Sequence, residues 1–478
     1  MEQSERKAKE REKQRKKQER AARREMRRYR RAFAFFRFVL KPFLRRKFGY
    51  RYDDLSKIEG PYLLLANHNT EFDPMFVGLA TKKQLFFVAS EHIMRKGFGT
   101  WFLTRYFHPI IHRKGKDGAK SVFSILKTLR SGSSVALFAE GNRSFDGVTG
   151  PIAEATGKMA KAAGVPVVTF RFEGGFLTQP RFSTNVRKGR MYGRLVHVYT
   201  KEELAAMSEA DINKAIAADL HEDAYEAQAR ERIAYKGKKK KYAYGLESTL
   251  CYCTGCGAFG TLHSDRDTLR CGKCGLTVVY DAFGELTVTG GNAEPGDADS
   301  GTTASVSAGS GATKSGNADS DKTVTNLRDW VARQRAALRG MIREAGEDEE
   351  LFSDPVTVRE IGADHKIMSV RAGTIIAYKN GVRLATDDGA AEGTTAVAAQ
   401  NTAAEEAAAE TTGETVSEIS GGSQTEELRD LAVYSRNFIT AYCHENGKQY
   451  DIRGDERFNA LKYYDLLRES EDPANDTH

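Results

Sequence analysis

From about residue 50 to residue 200 the chain repeats one alternation: a short apolar run, a polar turn, then a stretch with helical spacing. The runs at 62–66, 85–89, 135–139 and 165–170 are too short for helices and read as buried strands. Between them, 118–130 and 152–163 place apolar residues at helical intervals. Parallel strands need crossover connections, and helices supply them. The alternation therefore predicts an α/β fold, a mostly parallel sheet flanked by helices. Residues 195–199 read as a further strand, and 202–236 as a mostly helical segment that closes the unit. In open sheets of this kind, functional groups gather outside the carboxyl ends of the strands.

One such end is followed by Asn67-His68-Asn69-Thr70-Glu71-Phe72-Asp73. A helix is expected to begin at Asn69 or Thr70. Positions five apart do not share a helical face, but they meet if the first precedes the helix and the second lies in its first turn. His68 can then take a proton while Asp73 fixes the ring tautomer and offsets imidazolium charge. A free hydroxyl is a poor nucleophile at neutral pH, and such a base lowers the barrier to its attack on an acyl carbonyl. The bland alternative is a capping box formed by Thr70 and Asp73, with His68 a surface residue. A second end opens into Glu140-Gly141-Asn142-Arg143-Ser144. Arg143 offers a planar set of donors suited to a phosphate, Gly141 admits close backbone approach, and Glu140 is placed to orient Arg143 or a glycerol hydroxyl. Ile110-Ile111-His112-Arg113-Lys114 brings a second anion-binding candidate, Arg113. Taken alone, either arginine reads equally as a surface ion-pair residue.

Taken in order, these blocks resemble the 1-acylglycerol-3-phosphate acyltransferase family, within the wider glycerolipid acyltransferases. The family's first block is a histidine, four residues, then an aspartate, and His68 and Asp73 match it with Asn67 in the usual place. Its second block ends in an arginine, matched by Arg113. Its third has the form Phe-Pro-Glu-Gly-Thr-Arg-Ser, and here Phe138-Ala139-Glu140-Gly141-Asn142-Arg143-Ser144 stands. The fourth centres on a proline in an apolar strand, as in Val165-Pro166-Val167. The resemblance covers about residues 50–245. Ala139 replaces the usual proline and Asn142 the usual threonine, which implies a changed loop and a changed acceptor choice, not lost activity. His112 is atypical too and is a candidate head-group contact. The resemblance implies transfer of a fatty acyl group from acyl-CoA or acyl-carrier protein to the free hydroxyl of 1-acylglycerol-3-phosphate, giving phosphatidic acid. His68 would be the general base with Asp73 behind it, and Arg113, Glu140, Gly141 and Arg143 would hold the substrate phosphate. No metal is implied at this site. Two alternatives stay open: another lysolipid or an amino-lipid as acceptor, and a catalytically silent lipid-binding or scaffold protein.

Charge is unevenly spread. The net charge is +8, but residues 1–47 hold 20 Lys or Arg against six Glu, a net +14, which leaves about −6 for the rest. The basic character belongs to an arm, so a uniformly basic nucleic-acid binder is disfavoured. Residues 1–31 are helix-favouring but nearly coreless, and are expected to be disordered or a fraying helix. In 33–44, Phe33, Phe36, Val39, Leu40, Phe43 and Leu44 share one arc beside a basic one, with Pro42 expected to kink the helix. That pattern fits an amphipathic segment lying on an anionic membrane surface, peripheral, at the cytoplasmic face of the cell membrane. The plainer reading is a helix packed on the domain. No apolar run approaches 18 residues, and the start makes a poor signal peptide.

Six cysteines in 478 residues do not suggest a disulfide scaffold. Four of them form two Cys-x-x-Cys pairs, Cys253 with Cys256 and Cys271 with Cys274, fourteen residues apart. Four thiolates in two knuckles suit a structural Zn2+ in a zinc-ribbon-like module over 246–285, with rubredoxin-like iron the minor alternative. Cys251 and His263 fall outside the paired spacing, and Cys443 reads as an ordinary buried thiol. Residues 286–325 read as a flexible linker. Residues 326–475 read as a small α+β or mostly β domain with a turn at Asn380 and Gly381 and a low-complexity loop at 386–425. The partition expected is thus a membrane-association arm (1–47), an acyltransferase domain (48–245), the zinc module, the linker and this last domain.

Overall fold

Leu63 and Leu65 point to one side of a strand, Leu64 and Ala66 to the other, and all four are fully buried. A strand buried on both faces belongs in the middle of a sheet covered by helices on both sides. The computed structural model places it there, and describes residues 2–95, 97–112, 118–237, 241–291, 325–362, 364–387, 423–435, 437–455 and 457–470. The strands are β1 (Tyr50–Tyr52), β2 (Leu63–Ala66), β3 (Leu85–Ser90), β4 (Ile110–His112), β5 (Ser134–Phe138), β6 (Val167–Glu173), β7 (Arg187–Lys188) and β8 (Met191–Tyr199). Seven of them form one sheet in the order β1-β8-β6-β2-β5-β3-β4. Every pairing is parallel except β6 with β8.

The helices of this unit are α1 (Glu2–Phe48), α2 (Asp73–Ala80), α3 (Phe98–Tyr106), α4 (Gly118–Arg130), α5 (Ala155–Ala162), α6 (Gly175–Thr178), α7 (Lys201–Ala206), α8 (Glu209–Leu220) and α9 (Ala224–Glu231). Leu64 and Ala66 share a core with Leu44 and Phe48 of α1 and Phe76 and Val77 of α2. Leu63 and Leu65 share another with Ile125 of α4, Met159 of α5 and Ile216 of α8. The basic arm is not a loose tail: α1 is one helix that continues through Pro42. Tyr29, Phe33, Leu44 and Phe48 are buried against the domain, and the Arg37 guanidinium donates to the Leu79 carbonyl at 3.2 and 3.3 Å. The apolar arc is therefore shared. Phe35, Phe38, Val39 and Phe43 remain exposed.

After the short β9 (Lys236–Gly237), which pairs with β7, come β10 (Leu262–Asp265), β11 (Thr268–Cys271), β12 (Thr277–Tyr280) and β13 (Leu286–Gly290). These last four form an antiparallel sheet. The ribbon-like module thus runs past 285 into what composition marks as linker, while 292–324 lie outside the described residues. Helix α10 (Leu327–Glu344) starts at Asn326, whose side chain accepts from the Asp329 amide. Its first half puts Leu327, Trp330 and Val331 into the core of the ribbon module, and its second half puts Leu338 and Ile342 into the core of the last domain.

That last domain is a closed antiparallel barrel of β14 (Glu350–Ile361), β15 (Ile367–Tyr378), β16 (Gly381–Asp387), β17 (Ser423–Ser435), β18 (Phe438–Tyr442) and β19 (Gln449–Arg453). Helix α11 (Ala460–Ser470) packs on it through Tyr463 and Leu466. Closure removes the exposed strand edges that an open sheet would carry. The turn between β15 and β16 is Lys379 and Asn380, one residue earlier than expected, because Tyr378 pairs directly with Gly381. The low-complexity stretch at 388–422 lies outside the described residues.

Candidate active site

β2 stops at Ala66, and α2 begins at Asp73 instead of at Asn69 or Thr70. Residues 67–72 therefore form a loop across the carboxyl ends of β2, β5 and β6. Asn67 clips it to β6: its Oδ1 accepts from the Phe172 amide at 2.7 Å and its Nδ2 donates to the Phe172 carbonyl at 3.0 Å. Asp73 opens α2 fully buried. Its Oδ2 accepts from His68 Nδ1 at 2.8 Å, from the Asn69 amide at 2.7 Å and from the Thr70 amide at 2.9 Å. Its Oδ1 accepts from the Thr70 hydroxyl at 2.6 Å. The carboxylate that orients the histidine thus also ties down the loop ahead of α2; the helix itself has no side-chain cap, so the capping box that Thr70 and Asp73 suggest is not formed.

An ionised carboxylate only accepts, so the His68 proton sits on Nδ1 and Nε2 presents a lone pair. The His68 ring stacks on Phe138 with centroids 4.3 Å apart, and its side chain is 20% exposed. Burial lowers the His68 pKa, against an upward pull from Asp73. The ring is therefore neutral near pH 7, as a base must be before it acts.

The Glu140 loop departs from expectation. Glu140 does not reach toward Arg143. Its Oε1 accepts from the His68 amide at 2.5 Å and its Oε2 from the Gly150 amide at 2.7 Å, so it fixes the His68 backbone. Burial raises Glu140 to about 8, although these two donors pull the other way. Gly141 takes φ = 67°, which lets the chain turn after β5, and the Ser144 amide donates to the His68 carbonyl at 2.8 Å. Arg143 therefore sits one residue from the histidine's backbone. No carboxylate pairs with its guanidinium among the described residues; Glu71 and Asp73 are the opposite charges that act on it, against desolvation as the larger effect. Arg113 lies outside the described residues, and His112 Nδ1 meets Ser121 Oγ at 2.9 Å.

Two participants had no motif to announce them. Glu222, after α8, accepts from Asn69 Nδ2 at 2.6 Å and from the Gly174 amide at 2.5 Å, with burial raising it to about 8. Arg181, in the turn after α6, is 8% exposed and donates to the Arg143 carbonyl at 2.8 Å.

Residues 47–173 match the acyltransferase family model. They form an acyltransferase domain. The His68–Asp73 pair, the Glu140 loop and Arg143 all lie within that match. A solved structure similar to the chain is that of the 1-acyl-sn-glycerophosphate (LPA) acyltransferase PlsC from Thermotoga maritima, at 18% identity and a TM-score of 0.36, covering 42% of this chain and 80% of that one. No curated protein matches the chain.

Beyond the acyltransferase domain, Cys253, Cys256, Cys271 and Cys274 bring their sulfurs within 4.8 Å of one another. Cys253 and Cys274 are 3.6 Å apart and Cys256 and Cys271 3.8 Å. The edge of a tetrahedron with zinc–sulfur bonds of about 2.3 Å is roughly 3.8 Å, so the donor set fits that ion. Each knuckle turns through a left-handed glycine, Gly257 at φ 69° and Gly275 at φ 75°, whose amide donates back to Cys253 or Cys271. Neither Cys251 nor His263 joins the cluster.

Proposed function

We propose that this chain transfers a fatty acyl group from acyl-CoA or acyl-carrier protein to the free hydroxyl of 1-acylglycerol-3-phosphate, yielding phosphatidic acid for phospholipid biosynthesis. The observation that carries the reading is the 2.8 Å contact of His68 Nδ1 with the buried Asp73 carboxylate, beside an Arg143 guanidinium that pairs with no carboxylate among the described residues. The acceptor oxygen attacks the thioester carbon as its proton passes to His68 Nε2. Asp73 stabilises the imidazolium. The tetrahedral oxyanion then collapses, the carbon–sulfur bond breaks, and the thiolate takes the proton back from His68. Arg143 holds the acceptor's phosphate, which favours a phosphate monoester over an amino-lipid. Glu140 and Gly141 act by shaping the loop, and Arg113 is assigned to the same anion through the family motif.

Zn2+ on the four cysteines would serve structure alone, since all four positions of the tetrahedron are filled by thiolates. The enzyme works at an anionic membrane surface. No helix among the described residues is long and apolar enough to cross a membrane. What supports peripheral contact is a joint surface of α1 and α3, where Phe35, Phe98 and Trp101 are exposed and Arg24, Arg27 and Arg31 lie alongside, with Phe38 exposed elsewhere on α1. Aromatic rings beside arginines suit the boundary between head groups and acyl chains.

The decisive test is His68→Ala in the full-length protein, with lysophosphatidate and an acyl thioester. A loss of at least ~100-fold with an unchanged melting temperature is expected, the scale of a general base. Near-normal turnover removes His68 from the chemistry. No thioester-dependent product from the wild type would leave a lipid-binding scaffold instead.

A further inference from the structure

The barrel is docked beside the catalytic loops. Arg95 of the acyltransferase domain holds Asp451 of β19 at 2.6 and 2.7 Å. Ser90 at the end of β3 bonds the Tyr434 hydroxyl, and the His92 ring packs on the Tyr434 ring at 4.1 Å. On the Arg143 side, Asn142 Nδ2 donates to the Tyr464 hydroxyl at 3.2 Å, and Phe145 packs on the Tyr464 ring at 5.6 Å. All these acyltransferase residues follow the carboxyl ends of β3 and β5, the edge that also carries His68.

Arg181 sits at the centre of this junction. One of its terminal nitrogens donates to the Arg143 carbonyl, and the other to the Val433 carbonyl of β17. Its guanidinium lies over the Phe145 ring, 4.1 Å from the centroid. No carboxylate pairs with Arg181 or with Arg143 among the described residues, although Arg181 is more than nine-tenths buried. Two neighbouring cations removed from water without an anion repel each other and forfeit hydration. A site of that kind is stabilised by a bound dianion.

Resting on the lysophosphatidate reading above, we propose that Arg181 is a second head-group cation beside Arg143, and that docking of the barrel through Val433 holds it in place. The barrel is then a wall of the acceptor site, and acceptor choice in this chain depends on a domain outside the family's motifs. Asn142, where the family usually has threonine, reaches the barrel's helix α11 together with Phe145.

The test compares lysophosphatidate with an uncharged monoacylglycerol as acceptor, in full-length wild type, Arg181→Gln, Arg181→Lys and Arg95→Ala. Arg181→Gln is expected to raise the lysophosphatidate KM about 10-fold or more, leave the thioester KM within about twofold, and raise the monoacylglycerol KM far less than that of lysophosphatidate. Arg181→Lys should recover part of the loss, because the charge is restored without the fork. Arg95→Ala, which touches neither substrate, should raise the same KM by loosening the barrel. Inorganic phosphate should raise the wild-type melting temperature more than that of Arg181→Gln. If the wild type does not prefer the phosphate acceptor, the underlying acceptor reading fails and this inference with it. If the wild type prefers it but Arg181→Gln keeps the same KM, only the inference is overturned. Should Arg181→Gln not fold, unchanged acceptor KM values in both Arg181→Lys and Arg95→Ala overturn it equally.

Discussion

Replacing Asp73 by asparagine would separate two things the carboxylate does for His68. Its Oδ2 receives three donors, two of them backbone amides that cannot turn away. An asparagine must therefore present its oxygen there, because its NH2 group would face two N–H donors. The amide NH2 then meets the Thr70 hydroxyl, which can switch from donor to acceptor. His68 keeps its Nδ1 proton and its tautomer; only the negative charge is lost. A hydrogen bond to a charged group is worth about 1.5–3 kcal/mol and a neutral one nearer 1 kcal/mol, so the forming imidazolium loses about 1–2 kcal/mol, or roughly 5- to 30-fold in kcat. The acid limb of the pH profile should also move to lower pH, since Asp73 raises the His68 pKa. Asp73→Ala is a different perturbation. It strands the amides of Asn69 and Thr70, on residues 2% and 0% exposed, at about 1–3 kcal/mol each, a large part of a typical total of about 5–15 kcal/mol. Thiol release from acyl-CoA at saturating acceptor, with a melting curve for each variant, measures both effects. A fall of less than about twofold in Asp73→Asn would show that the charge does nothing. A fall beyond about 1,000-fold with a native melting temperature would show that the tautomer was lost, and that the two amides do not fix the side chain.

Metal analysis of the untagged protein should find about one zinc per chain. Cys274→Ser should lower the melting temperature while kcat at saturating acceptor stays within about threefold, and four fully reactive thiols in a folded, metal-free protein would rule the site out. Phe38→Ser with Trp101→Ser should weaken binding to anionic vesicles about 10-fold or more, and added salt should weaken the wild type; equal partitioning of both proteins would move the contact elsewhere. Glu140 and Glu222 are both raised to about 8 in the fold, so each retains its proton where the unfolded chain has lost it. Their contribution is fully present below the unfolded carboxyl range and is lost as pH rises through about 8. Thermal stability should therefore decline between pH 5 and 8.5, and Glu222→Gln should flatten that decline; an identical slope in the variant would contradict the assignment.

Much of the acyltransferase domain was readable because its strands are short, doubly buried and apolar, and so stand out against helical spacing. The limits of α4 match residues 118–130 as read from spacing. The start of α2 was not readable, since Thr70 and Asp73 look like a cap, whereas the Asp73 carboxylate holds His68 and the loop amides that precede the helix. That Glu140 binds backbone amides was not readable, because an arginine three residues away is the obvious partner in sequence and amides of distant loops are not displayed there. Arg181 carries no signal at all. Gln179-Pro180-Arg181-Phe182 looks like any turn, and its meaning comes from a carbonyl of β17, 252 residues further along the chain. Barrel closure likewise depends on β14 meeting β19, a long-range pairing that alternation cannot specify.

The placement of α10 gives the small four-cysteine module a structural task in this protein. Trp330 Nε1 donates to the Tyr252 carbonyl and Gln334 Oε1 accepts from the Cys251 amide, so the ribbon's first knuckle is bonded to this helix. Four residues further on, Leu338 enters the barrel core, and Arg335 lies between Asp146 of the catalytic loop and Asp465 of α11, at 3.6 and 3.3 Å. One rigid helix therefore carries the ribbon at one end, the barrel at the other, and an ion-pair link to the acyltransferase domain between them. A module this short has little core of its own, and four thiolates on a metal would make its surface rigid enough to seat the helix. The helix in turn fixes where the barrel sits, and the barrel's Val433 carbonyl fixes where Arg181 sits. Under the proposed acceptor site, the cysteines, far from His68 in sequence, would bear on acceptor choice through α10 and the barrel and not through proton transfer at the histidine.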